Sequence, residues 1–332
     1  MTAPFFSVVI PTYNRAERAA AAVRSVLAQT DPDFECFVVD DGSTDRTREA
    51  LAPFADPRLK IVFNDKNRGQ HACRNQAIRD ARGQWIAFLD SDDVYLPARL
   101  AALRLFLSRE PRTGFVFTNA YVHRFGRIIG LLFDPDREIP QGVVPGYYAV
   151  GEAFLPYVTT MVAIRKEAFE RVGYFREDLR ILEDTELYAR MLDAGLEVGA
   201  LNQPLAVRFL HEGQITRDHL KDFEESMVAL RSSGAPPEEM IRVRLREARA
   251  VAEYLWRGGR PRQARELWKR ELGSMTPGFY LKTALPSPVI DAARALRGLW
   301  LRTRYHPAFA PADYRSVAEL VRGYFARPQA AI

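Results

Sequence analysis

Short apolar runs that alternate with helical periodicity constrain the first hundred residues more than any other feature of this chain. Ser7–Ile10, Phe34–Val39, Leu59–Phe63 and Trp85–Leu89 read as strands, and Phe34–Val39 and Trp85–Leu89 are short, largely apolar runs. That pattern belongs to strands buried on both faces of a parallel sheet. Between them, Ala16–Gln29, Thr44–Phe54 and His71–Ala81 read as helices. On the first, Ala19, Ala20, Val23, Val26 and Leu27 fall on one side. Parallel strands joined by helices demand right-handed crossovers, so the expected unit is an α/β fold.

Two acidic clusters follow strands of this set: Val38-Val39-Asp40-Asp41-Gly42-Ser43 and Phe88-Leu89-Asp90-Ser91-Asp92-Asp93. Ligands of open α/β sheets collect beyond the carboxyl ends of the strands, so both clusters point at one crevice. Three carboxylates within four residues repel one another unless a cation sits among them, and Mg²⁺ or Mn²⁺ prefers such oxygen ligands. A metal-dependent site for a phosphorylated ligand is the expectation. Either cluster alone also fits a turn capped by Asp and Ser; two at one sheet edge fit it poorly.

Further along, Ala98–Ser108 reads as a helix opened by Pro97, and Gly114–Tyr121 as a strand. Gly and Pro repeatedly break residues 125–156, which predicts a loop-rich stretch with short strands. Val158–Ile164 predicts a strand and Lys166–Val172 a helix. Glu183–Ala194 is an amphipathic helix carrying Leu187, Met191 and Leu192 on one side and stopped by Gly195. Two short strands, Glu197–Ala200 and Leu205–Leu210, come next. Everything after Arg217 reads helical, and Ser232–Pro237 is a hinge that divides an α/β unit, residues 1–230, from a basic helical region, residues 231–332.

The net charge of +5 hides an asymmetry. Residues 241–332 hold eighteen Lys or Arg and seven Asp or Glu, out of chain totals of 47 and 42, so the remainder is acidic. Interleaved aromatics for base stacking are missing from the basic region, so nucleic acid is not an expected partner. No run of eighteen apolar residues predicts a transmembrane helix. Met1–Phe6 enters a strand without the regions of a signal peptide, and Cys36 and Cys73 have no metal-binding spacing, so a reducing, cytoplasmic setting is expected.

The ordered motifs resemble the family 2 glycosyltransferases of the GT-A fold. They run Ser7-Val8-Val9-Ile10-Pro11-Thr12-Tyr13-Asn14-Arg15, then Val39-Asp40-Asp41-Gly42-Ser43-Thr44-Asp45, then Asn67-Arg68-Gly69 through Arg74-Asn75. Phe88 to Asp93 and Leu182-Glu183-Asp184 complete the set. The resemblance covers roughly residues 5–215. It implies a Rossmann-like, mostly parallel central sheet flanked by helices, with an appended C-terminal helical region.

The same resemblance implies an enzyme that moves one sugar from a nucleoside-diphosphate sugar, a UDP-sugar favoured, to an acceptor hydroxyl with inversion. Negative charge grows on the leaving diphosphate, and a divalent ion held by the acidic cluster would stabilise it there. Asp92 resembles the direct metal ligand, Asp93 an adjacent one, and Asp90 a residue near the ribose or a metal-bound water. Asp41 resembles the acceptor of the base-ring N–H, and Pro11 and Tyr13 the wall against which base and ribose pack. Arg68 is a candidate nucleotide contact, whereas Arg74 reads as structural. Asp184 resembles the general base, with Glu183 beside it, and His211 a residue that reaches metal or diphosphate. Plain alternatives stand beside these. Asp41 could cap helix Thr44–Phe54, Tyr13 could staple a helix entry, and Glu183-Asp184 could complement a helix dipole.

Processive members carry a Trp-containing motif after the base and membrane helices. Here Tyr188-Ala189-Arg190-Met191-Leu192 lacks the Trp, which implies single-sugar transfer to a glycan or lipid-linked acceptor. Ala292–Tyr305 sets Leu296, Leu299, Trp300 and Leu301 among Arg294, Arg297, Arg302 and Arg304. That pattern serves a helix packed on the catalytic unit or one lying peripherally on the inner membrane face. Two rival functions remain. A sugar-nucleotide-forming nucleotidyltransferase would want a Gly-rich basic loop after the first strand, where Pro11-Thr12-Tyr13-Asn14 stands. A non-catalytic nucleotide-sugar binder would have no use for Asp184. No G-x-G-x-x-G follows Ser7–Ile10, which disfavours a dinucleotide dehydrogenase.

Overall fold

The structure, a computed structural model, describes residues 3–124, 126–134, 139–144, 158–179, 183–210, 219–232, 236–274, 276–284 and 313–326. Strand β1 (Phe6–Thr12) is buried at every position, so it must be covered on both faces. Its side chains alternate accordingly. Val8 and Ile10 enter a core with Ala19, Val23 and Val26 of helix α1 (Ala16–Leu27). Val9 turns the other way and meets Cys73, Ala77 and Ile78 of helix α3 (Gln70–Asp80).

Strands β2 (Phe34–Asp40) and β4 (Trp85–Phe88) flank β1, both parallel to it, and β3 (Leu59–Phe63) lies outside β2. Pro11, which has no N–H to give a ladder, falls beyond the last β1–β4 pair, Val9 with Phe88. The full order is β3-β2-β1-β4-β9-β6-β10-β5. Here β5 is Val94–Tyr95, β6 Thr113–Arg124, β9 Val162–Arg165 and β10 Glu197–Phe209. β9 opposes both β4 and β6, while β10 runs parallel to β6, so the long strands share one direction except β9. β7 (Arg127–Leu131) and β8 (Gly142–Val143) pair at the β6 and β10 edges. The chain leaves β1 toward β2 on one side and returns to β4 on the other. The crevice between those loops is the switch point at which α/β sheets take ligands.

Helix α2 is only Thr47–Leu51, shorter than the expected Thr44–Phe54. Asn14 Oδ1 accepts the N–H groups of Thr44 (2.7 Å) and Asp45 (3.3 Å), and Asp45 in turn accepts the Thr47 N–H (3.0 Å). These side chains give the backbone an alternative to a helical first turn. The two strands expected over residues 197–210 are one, β10, with register shifts on both sides of Pro204. The expected strand Val158–Ile164 opens instead with a 3₁₀ turn, Thr159–Met161.

Helix α4 (Arg99–Arg109) follows β5, and α5 (Lys166–Val172) and α6 (Glu183–Asp193) lie between β9 and β10. Four helices after β10 share one core: α7 (His219–Ser232), α8 (Pro237–Arg257), α9 (Pro261–Leu272) and α10 (Pro277–Thr283). Phe223, Val243, Leu255, Leu267 and Trp268 build it, and Ala189 of α6 joins it. The last helix, α11 (Asp313–Phe325), returns to the catalytic sheet. There Val317, Val321 and Tyr324 pack with Ala21, Val207 and Phe209, and Arg24 donates to the Tyr324 carbonyl at 2.6 Å. Ala292–Tyr305 and His211 lie outside the described residues. No helix among the described residues is long and apolar enough to cross a membrane.

Gly42 has φ +73°, and a Cβ there would stand 2.8 Å from the Lys66 carbonyl carbon. Gly42→Ala therefore combines a left-handed backbone with a backbone collision, and a loss of about 1–3 kcal/mol is expected. Chemical denaturation checks it; a variant as stable as the parent would show that the Asp40–Asp45 turn can rearrange freely.

Candidate active site

Helix α3 places Arg74 beneath the crevice with its side chain 1% exposed. The two ends of its guanidinium go separate ways. Nη2 meets Asp90 Oδ1, from the loop after β4, at 2.7 Å, and Nη1 meets Glu183 Oε1, in the first turn of α6, at 2.7 Å. Gln70, one turn earlier on α3, donates to the same Glu183 oxygen at 2.6 Å. Burial alone would depress the guanidinium, but Asp90, Glu183 and Asp184 outweigh it and hold the group above the ordinary arginine range. Asn75 donates to the Phe175 carbonyl at 2.9 Å and so ties α3 to the loop before α6.

Asp184 sits beside this pair. One oxygen accepts the Thr185 N–H at 2.7 Å and the other the Thr159 hydroxyl at 3.3 Å. Burial pushes its carboxyl up to about 7, helped by the Glu183 charge and opposed by Arg74. A carboxyl that ionises near neutral pH can both hold and release a proton there.

On the donor side, Asp90, Asp92 and Asp93 each offer a carboxylate oxygen, all within 4.8 Å of one another. Asp92 pairs with Arg15 Nη1 at 2.8 Å. Asp93 is buried and doubly held: Oδ1 accepts the Phe209 N–H at 2.9 Å and Oδ2 the Thr160 hydroxyl at 2.8 Å. Burial, then Asp92 and Asp90, push its carboxyl well above the usual range. The Thr160 hydroxyl also accepts the Asp90 N–H at 3.0 Å, and the buried Arg99 donates to the Thr160 carbonyl at 2.9 Å. The 3₁₀ turn at residues 159–161 therefore touches both halves, Thr159 on Asp184 and Thr160 on the acidic loop.

A hard divalent ion is the group the resemblance implies, and the donors fit it: carboxylate oxygens only, clustered, with Asp90 and Asp92 partly open to solvent.

Asp41 is buried, and its two oxygens accept the Arg68 N–H (2.9 Å) and the Gly69 N–H (2.7 Å). It holds the loop that enters α3 and makes no cap for α2. Gly69 is required there by its φ of +95°. The Arg68 side chain turns outward and lies 3.8 Å from Glu177. Pro11 is buried in β1, and Tyr13, 42% exposed, stands beyond its end. Sequence reading named Asp90, Asp92, Asp93, Glu183 and Asp184, which the structure gathers. It reads Arg74 as structural, and the structure makes that arginine the clamp on Asp90 and Glu183. It missed Gln70, Thr159 and Thr160 as partners of these acids.

The fold and this acidic crevice define a GT-A glycosyltransferase, and comparison with known proteins agrees. The family described as Glycosyl transferase family 2 matches residues 7–173, just over half of the chain. The succinoglycan biosynthesis protein ExoO of Rhizobium meliloti is 32% identical over 236 residues, 68% of this chain and 66% of that protein. An Escherichia coli protein, the UDP-Glc:alpha-D-GlcNAc-diphosphoundecaprenol beta-1,3-glucosyltransferase WfgD, is 33% identical over 131 residues, 40% of this chain and 51% of its own. Among solved structures, S. aureus TarS 1–349 in complex with UDP-GlcNAc superposes with a TM-score of 0.61 at 19% identity, covering 96% of this chain and 91% of that one. The chain belongs to glycosyltransferase family 2.

A raised Asp184 carboxyl has two consequences with opposite dependence on pH. If Asp184 takes a substrate proton, turnover should rise with pH through a limb near 7, because the carboxyl must be ionised to accept it. Stability should move the other way. The folded state binds that proton more tightly than an unfolded Asp of pKa 3.8, so the group's contribution declines as pH rises from about 4 to about 7. Thermal midpoints should show Asp184→Asn gaining on the parent across that window; a pH-independent difference would contradict the raised carboxyl.

Proposed function

We propose that the chain transfers a single sugar from a nucleoside-diphosphate sugar, a UDP-sugar favoured, to a hydroxyl of a glycan or lipid-linked glycan, with inversion. The observation that carries this reading is the buried Asp184, poised near neutrality and joined through Glu183 and Arg74 to the acidic loop. Asp184 takes the proton of the acceptor hydroxyl as that oxygen bonds to the anomeric carbon. The carbon–oxygen bond to the diphosphate breaks on the opposite face, and its electron pair leaves with the diphosphate. One displacement inverts the centre.

Asp92, with Asp90 beside it, would hold the Mn²⁺ or Mg²⁺, and Asp93 anchors their loop. That ion supplies electrostatic stabilisation of the departing diphosphate. Asp41 fixes the nucleotide-side loop, while Pro11 and Tyr13 offer a wall for base and ribose. Two features support an acceptor at a membrane surface: the diphosphoundecaprenol-linked sugar for which the similar WfgD is named, and the basic C-terminal region. A pure binder is the weaker reading, since burying the Asp184 carboxyl costs stability that nucleotide binding does not require.

Thermal-shift and turnover assays with UDP-, GDP- and dTDP-sugars plus Mn²⁺ test the reading. Asp92→Asn should abolish metal-dependent donor binding in a folded protein, and retained metal dependence would remove Asp92 from the site. Asp184→Asn should keep donor affinity while turnover falls by roughly 10²-fold, the scale of general-base loss. Equal collapse of both would make Asp184 a ligand instead.

A further inference from the structure

We propose that Arg74 is a positioning residue for the transfer step, a buried fork that sets the donor-side acids and the catalytic base in one register. The inference rests on the reading of Asp184 as base. Its geometry does not. Asp90 and Glu183 lie 16 and 109 residues from Arg74 in sequence, and no hydrogen bond joins the two acids directly. One guanidinium spans them, with a 2.7 Å contact at each end. Because the group is planar and its two terminal nitrogens diverge, fixing one carboxylate fixes the direction of the other. A lysine ammonium is a single point charge and has no second arm for that span.

The fork acts on Asp184 through its neighbour. Glu183 and Asp184 are adjacent residues in the first turn of α6, so holding Glu183 Oε1 between Arg74 and Gln70 holds the turn that carries the base. Arg74 Nε finds no partner among the described residues although it is buried. The groups around Asp184 are Glu183 and Tyr188 on α6, Arg74 on α3, Asp90 after β4 and the Thr159 hydroxyl. Arg74 is the only cation among these.

The test uses the full chain with Arg74→Gln, Arg74→Lys, Glu183→Gln and the Arg74→Gln/Glu183→Gln double variant. Two readouts separate this inference from the proposed function. Hydrogen exchange over residues 183–190 needs no ligand; it should rise in Arg74→Gln while residues 243–255 stay protected. Turnover of UDP-glucose with Mn²⁺, alongside calorimetric binding of UDP, reads the catalytic part. Arg74→Gln should lower kcat by about 100-fold with UDP affinity changed far less, the scale at which small misplacements act. Arg74→Lys should recover only a minor part of that loss. The double variant should be no slower than Arg74→Gln, and the acid limb of the Arg74→Gln pH profile should lie above that of the parent, because the cation that opposes the raised Asp184 carboxyl is gone. Additive losses, an unmoved limb, or unchanged exchange in residues 183–190 would overturn the proposal. If Arg74→Gln does not fold, Arg74→Lys decides it: kcat, exchange and UDP affinity all at parental values overturn it. A parent protein that turns over no UDP-sugar would instead sink the donor assignment and leave the exchange result standing.

Discussion

The arrangement depends on keeping Asp90, Asp92, Asp93, Glu183 and Asp184 together at one sheet edge against their mutual repulsion. Coulomb repulsion between carboxylates at such separations is severe in a partly buried crevice, so a fold that gathers them must supply cations or raise their pKa values. This one does both. Arg15 sits on Asp92 from the start of α1, and Arg74 sits on Asp90 and Glu183 from α3. Asp93 and Asp184, which have no arginine in direct contact among the described residues, are the two of these five whose carboxyls are pushed upward. The division of roles follows from which acid receives a counterion and which must keep its proton longer.

Much of this was legible in the sequence because it was local. The four apolar runs became β1 to β4, and the acids that close two of them stand at the carboxyl ends of β2 and β4. Helix α6 begins at Glu183 as its amphipathic pattern demands. What failed was set by groups distant in sequence. Helix α2 lost its first turn to Asn14, thirty residues earlier, and Pro204 bends β10 without ending it. Thr159 and Thr160 read as β-branched strand formers, yet their hydroxyls serve Asp184 and Asp93. Arg74 reads as structural in the sequence, but that it clamps two acids at once is revealed only by its burial, and burial belongs to the tertiary fold rather than to the residue's neighbours.

The helices after β10 touch the site from two directions. Helix α7 and its partners bury Ala189, so they brace the outer face of the helix that carries the base. Helix α11 reaches the other half. The Phe325 ring meets Phe209 edge-on at 5.5 Å, and the Phe209 N–H is the donor that holds Asp93. A basic C-terminal region is therefore part of the frame around the crevice as well as a source of positive charge.

The family match ends at residue 173, ten residues before Glu183. The stretch from Pro11 through the acidic loop to Thr160 lies inside it, whereas Asp184 and the α6 helix lie outside. A nucleoside diphosphate presents much the same charges to every enzyme that uses it, whereas acceptors differ in shape. Arg74 lies within the matched stretch in sequence and reaches across in space to Glu183, beyond it. One guanidinium thus ties the matched part of the sheet to the helix that follows it.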